Sequence, residues 1–144
     1  MVTQERQQEF TELLRRATQW ASASPDIIAV GVVGSWARGA ERMDSDVDLV
    51  FVVDQVAPYW YHDDWVLPLG SSGITRTQKW GPLHERRFVL DAGLEVEAGF
   101  VTRQWTRTGP VDVGTRRVVS AGMRIVYDPS GILADVQAEC GQEP

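Results

Sequence analysis

The chain has one cysteine, Cys140, so no internal disulfide can brace it, and a domain of this size must then be held by an apolar core. No positively charged start is followed by an apolar run, and the longest apolar stretches are only strand-sized. These absences exclude a membrane span and lead to the expectation of a cytoplasmic protein. Basic residues are scarce as well: beyond the pairs Arg15-Arg16, Arg86-Arg87 and Arg116-Arg117 there is no cationic cluster, and the formal charge is −6. Broad, phosphate-driven binding to duplex nucleic acid is therefore not expected, although a small anion held locally remains compatible with the balance. There is no internal repeat and no low-complexity segment. His62 and His84 have no Cys or His partner at zinc spacing. The Gly31–Gly34 stretch lacks the dinucleotide glycine fingerprint, and no Gly-Lys-Ser/Thr marks a P-loop.

What is present is an ordinary globular composition, 43% hydrophobic and 24% charged over 144 residues, enough for one domain with its own core and too little for two. Phe10, Leu13, Leu14, Ala17 and Trp20 recur at helical spacing, which predicts an amphipathic helix over residues 3–22. The continuous apolar run 27–33 has the character of a strand buried on both faces. Residues 36–42 have room for one or two helical turns. A second buried strand is expected over 46–54, with Val47, Leu49, Phe51 and Val53 on one face and Asp46, Asp48, Val50 and Val52 on the other. Residues 55–72, rich in Pro, Gly, Tyr and Trp, are expected to form an irregular or partly helical connection. Strands are expected over 74–81, 84–91 and 94–101, the last two joined by the turn Asp91-Ala92-Gly93. A short helix over 111–119, a strand over 123–127 and a final helix complete the chain, the last capped by Asp128 with Pro129 in its first turn.

The chemistry concentrates in GSWARGAERMDSDVDLVFVV, residues 34–53. Asp is a poor strand former and adjacent carboxylates repel, so two of them at i and i+2 on an apolar strand call for a positive charge between them. Carboxylates projecting in parallel a few ångströms apart suit divalent cations bound through oxygen. Glu97, or failing that Glu95, supplies a third acid if residues 94–101 pair beside the strand 46–54. Glu95 has an alternative role as a solvent-facing residue paired across to Arg86 or Arg87. Upstream, Gly34 permits a sharp turn, and Ser35 is placed to open a short helix whose N–H groups and hydroxyl could hold a phosphate. Arg38 lies one helical turn further on, and Ser45 directly precedes Asp46. Trp60, Trp65 and Trp105 are candidates to line an acceptor or base pocket.

Gly34-Ser35, ten intervening residues and Asp46-Val47-Asp48 together resemble the signature of the DNA polymerase β-like nucleotidyltransferase superfamily. The likeness is to its minimal members and to the catalytic domain of aminoglycoside nucleotidyltransferases. It implies an α+β fold, a mixed β-sheet with helices mainly on one face. It also implies that Asp46, Asp48 and Glu97 bind two Mg²⁺ ions and carry catalysis, Glu97 being favoured because Ala98-Gly99-Phe100 follows it as in the aminoglycoside enzymes. Gly34, Ser35, Arg38 and Ser45 would contact the phosphates of a nucleoside triphosphate, with ATP the expected donor. The implied reaction is attack by an acceptor hydroxyl on the α-phosphate with loss of pyrophosphate, the acceptor being a small molecule or a protein. Aminoglycoside enzymes usually add a helical domain, whereas this chain is expected to stay near the minimal core; minimal domains often work beside a helical partner protein, and the ten-residue spacing also resembles antitoxins that adenylylate a partner toxin. The competing expectation is a catalytically silent module that binds nucleotide or a partner.

Overall fold

The structure, a computed structural model, describes residues 1–141. Helix α1, Gln4–Ser22, starts where the Thr3 hydroxyl accepts from the Arg6 N–H and buries Phe10, Leu13, Leu14, Ala17 and Ala21, the stripe that 3.6-residue periodicity produces. Strand β1, Ile27–Val33, and strand β2, Val47–Val53, follow, and each is almost wholly buried because the sheet is covered on both faces here. The short helix α2, Ala57–Tyr61, and a 3₁₀ turn, Asp64–Leu69, make up the irregular connection. Strands β3, Ile74–Trp80, and β4, Leu83–Val89, form a hairpin, and β5, Glu95–Val101, returns beside β4. Helix α3, Val113–Ser120, strand β6, Met123–Tyr127, and helix α4, Ile132–Gly141, complete the described chain.

The six strands form one sheet in the order β3-β4-β5-β2-β1-β6. β2 and β5 run parallel, whereas all the other neighbours are antiparallel. The sheet is therefore mixed and the fold α+β, as expected. The helical cover, however, is divided between the faces rather than lying mainly on one. Val47, Leu49, Phe51 and Val53 pack with α1 and the 64–69 turn. Val50 and Val52 pack with Val119 of α3 and Leu133 and Val136 of α4. The period-two alternation of β2 demands this, since both of its faces carry apolar side chains that must be removed from water.

Two local expectations are corrected. Residues 36–42 form no helix: the Ala37 and Arg38 N–H groups both donate to the Gly34 carbonyl and the Ala40 N–H to that of Ser35, making a tight turn that Gly39 then reverses with φ 71°. Pro129 does not lie in the first turn of α4. It sits in a separate turn closed by the Gly131 N–H on the Asp128 carbonyl, and Asp128 reaches across to cap α4 through the N–H groups of Leu133 and Ala134 at 3.1 and 2.9 Å.

Candidate active site

β1 is followed directly by Gly34, whose φ of 76° lies in the left-handed region. A Cβ there would run into the Asp48 carboxylate, so the close approach of this backbone to the acid requires glycine. The loop from 34 to 46 is pinned by Trp36, which is buried, stacks on Phe10 of α1 with ring centroids 4.3 Å apart, and donates its indole N–H to the Ser45 carbonyl at 3.3 Å. The Ser45 hydroxyl accepts from the Arg42 N–H at 2.9 Å, closing the turn that delivers Asp46. Ser35 is half-buried, and Arg38 is exposed, its Cβ against Gly122.

Asp46 immediately precedes β2 and Asp48 is its second residue, so both side chains project from the face that α3 and α4 cover further along. In the parallel pair Asp48 stands directly opposite Glu97. Glu97 in turn faces Arg87 of β4, and Glu85, two residues earlier on β4, faces Gly99. Alternation places Glu85, Arg87, Glu95 and Glu97 on the same face as the aspartates. Glu85 is buried and held by Arg76 at 3.3 Å. The sequence reading missed it, although the period-two pattern of His84-Glu85-Arg86-Arg87 puts one acid and one arginine on this face.

Arg87 is the centre of the charge arrangement. Its guanidinium lies 3.1 Å from the Asp46 carboxylate and 3.3 Å from that of Glu95, and is also ion-paired to Glu97. Only 17% of the arginine side chain is exposed, against 51% for Glu95. The alternative role of Glu95, pairing across to Arg87, is thus realised. Arg86 points the other way into the core, where it holds the Tyr59, Trp60 and His62 carbonyls and Asp63.

Asp48 has no arginine within ion-pairing distance among the described residues. Its pKa is raised to about 6, first by burial, then by the carboxylates of Asp46 and Glu85, with Arg87 and Arg38 opposing from further off. Among the described residues, no three acidic, histidine or cysteine side chains are gathered tightly enough to hold a metal ion as they stand; Arg87 occupies the space between Asp46 and Glu97. The donor set nonetheless fits a hard divalent cation. It is all carboxylate oxygen, and burial together with repulsion leaves Asp48 short of positive charge.

A groove of about 140 Å³ opens beside Asp48, Glu85, Glu97 and Gly99, with Val118 of α3 as its far wall. A larger cleft of about 420 Å³ follows, lined by Pro82, Gln104, Trp105, Arg107 and Thr115. Each touches α3, the groove at Val118 and the cleft at Thr115, one turn apart. Trp105 lines this cleft. Trp60 and Trp65 do not. Trp65 belongs to the core on the opposite face, its N–H donating to the Tyr59 and His62 carbonyls, and Trp60 packs edge-on against His84 on that same side.

The family profile of the nucleotidyltransferase domain matches residues 13–104, a span that includes Gly34, both aspartates and Glu97. The chain belongs to the nucleotidyltransferase domain family. No protein with a curated description matches it. Among solved structures, this nucleotidyltransferase domain is similar to Cid1 in complex with its short product ApU, at 20% identity and a TM-score of 0.52, covering 69% of this chain and 32% of that one. The Cid1 poly(U) polymerase bound to MgATP gives 19% identity and a TM-score of 0.52, covering 69% and 33%. An aminoglycoside 6-adenyltransferase from Bacillus subtilis gives 12% and 0.44, covering 64% and 33%. The domain spans about a third of the length of these structures, and the similarity to Cid1 is one of fold.

Proposed function

We propose that the chain is a single minimal nucleotidyltransferase domain that moves a nucleoside monophosphate, with ATP the expected donor, to a hydroxyl on a small molecule or a protein. The register that sets Asp48 opposite Glu97, with Asp46 beside them on the same face, is what carries this proposal. Asp46, Asp48 and Glu97 would hold two Mg²⁺ ions, which when bound polarise the α-phosphate and neutralise the charge that develops on it. Gly34 and Ser35 would receive the triphosphate on the backbone of the loop, Ser45 would add its hydroxyl, and Arg38 would meet the phosphates. The acceptor oxygen forms a bond to the α-phosphorus as the bond to the bridging oxygen breaks; pyrophosphate departs and Glu97 takes the hydroxyl proton. The cleft beside Trp105 is the side from which the acceptor enters, shielded by Leu83 and α3.

A calorimetric titration of the chain with ATP, in the presence and absence of Mg²⁺, followed by an assay for pyrophosphate with hydroxyl-bearing small molecules and candidate partner proteins, tests the proposal. Metal-dependent ATP binding with pyrophosphate release is expected. Binding without release across all acceptors would mark a silent nucleotide-binding module, of the kind that works beside a helical partner protein. Failure to bind ATP with Mg²⁺ would overturn both.

A further inference from the structure

Arg87 sits where the proposed ions would need to be. Its guanidinium spans Asp46 and Glu97 and also contacts Glu95. Its position is imposed by the sheet: Glu97 lies directly across β5, and Arg76 lies directly across β3, so like-charge repulsion on one side and attraction on the other press it toward the acids. The fit is incomplete, since its Nε is buried without a hydrogen-bond partner among the described residues. An arginine with an unmet donor is less firmly held than one whose donors are all matched. Glu95, half exposed at the rim of the site, offers it an anion that none of the proposed metal ligands supplies.

From this arrangement, and resting on the metal-site reading above, we infer that Arg87 is a resident counter-cation that competes with the divalent ions for Asp46 and Glu97. It neutralises the acids in the metal-free chain and, when ions enter, gives up Asp46 and Glu97 while keeping its contact with Glu95. Arg87 is thus a positioning residue for the ligands, and it sets the metal concentration at which the site fills. A guanidinium spreads one positive charge over a planar fork that can bridge two carboxylates, but it brings no coordination sphere for phosphate oxygens, so the metal-free state is folded and idle.

The test is direct titration of the full chain with Mn²⁺, following free ion by electron paramagnetic resonance at fixed ionic strength and without nucleotide. Arg87→Gln is expected to bind Mn²⁺ about tenfold more tightly than the native chain, as removal of a close competing charge requires. Arg103→Gln is the control: it removes the same formal charge from an arginine paired with Asp54 at the far end of β2, and is expected to change affinity less than about twofold because the charge is screened over that distance. Metal-free R87Q is expected to melt below the native chain and to gain more from added Mn²⁺. Should R87Q not fold without metal, Arg87→Lys, which keeps the charge but not the two-pronged contact, is expected to show a smaller rise in affinity. Mn²⁺ affinities for the R87 variants equal to those of the native chain and R103Q would overturn the inference while leaving the metal site standing. No Mn²⁺ binding in any of them would overturn the metal-site reading as well.

Discussion

Phe10 of α1 and Trp36 of the loop before β2 stack with ring planes 23° apart, and through the Trp36 indole this contact reaches the backbone of Ser45, the residue before Asp46. The first helix is thereby tied to the placement of the first aspartate, although none of its own residues touches the carboxylates. Substituting Trp36→Phe keeps the stack and removes the hydrogen bond, and should cost about 1 kcal/mol in urea unfolding. Trp36→Ala removes both and should cost about 3 to 5 kcal/mol. Nucleotide affinity, measured by calorimetry, is expected to fall in both, because the loop that carries Ser35 and Ser45 loses its anchor.

The double substitution Asp46→Asn with Asp48→Asn should abolish Mg²⁺-dependent ATP binding while the fold is retained, as read by calorimetry and circular dichroism. Unchanged ATP affinity would remove these residues from the site.

Asp48 also gives the metal-free chain a pH dependence. Its folded-state pKa of about 6 lies above the ordinary value of 3.8, so the folded chain holds this proton more tightly than the unfolded one. Stability is then fullest below about pH 4, declines as the pH rises toward 6, and levels off above. Asp48→Asn removes that decline. Its gain over the native chain should approach an upper bound of about 3 kcal/mol above pH 6 and vanish near pH 4, in denaturant titrations made at several pH values without metal.

Gly34→Ala forces a side chain into a left-handed conformation and against the Asp48 carboxylate. A loss of about 1 to 3 kcal/mol is expected, together with weakened ATP binding. A substitution at Gly39, which also has a positive φ but has open space around it, should show the backbone cost alone and spare the nucleotide.

Arg86 is buried against three backbone carbonyls and Asp63. Arg86→Lys cannot reproduce that planar set of contacts, and Arg86→Ala takes the arginine from the Trp60 carbonyl and Asp63 and leaves the Tyr59 and His62 carbonyls to the Trp65 indole alone; losses of about 3 kcal/mol or more are expected for the alanine variant in urea unfolding. Metal affinity should be unaffected, since Arg86 faces away from the carboxylates.

The strands and the long helix were legible in the sequence because their periodicities are set by burial. Phe10, Leu13, Leu14 and Ala17 could only be one face of a helix, and β2 alternates Asp with Val because each face meets a different environment. The facing of Asp48 and Glu97 followed once residues 94–101 were paired beside β2. Pairwise charge compensation was less legible. Arg86 or Arg87 was expected to pair with Glu95, but the bridge from Arg87 to Asp46 and Glu97 was not foreseen, since which acids an arginine reaches depends on strand register, a non-local property. The division of helices between the faces was missed for a related reason. Val50 and Val52 announce that their face is covered, but not by which segment, and α3 and α4 lie beyond the span that carries the family resemblance. The turn after Gly34 stayed a turn because Gly39 interrupts it before helical hydrogen bonding can propagate.

The pairing of β2 with β5 joins segments about fifty residues apart in the chain. Contacts of such long range close late, after the intervening hairpin has been laid down. Until that closure a half-made chain leaving the ribosome holds its aspartates and Glu97 on unconnected strands, with nothing to gather them. On the proposed function, competence for chemistry would then be acquired in one step with the pairing of β5 to β2, and a fragment released before β5 is made would be inert toward nucleotides rather than promiscuous.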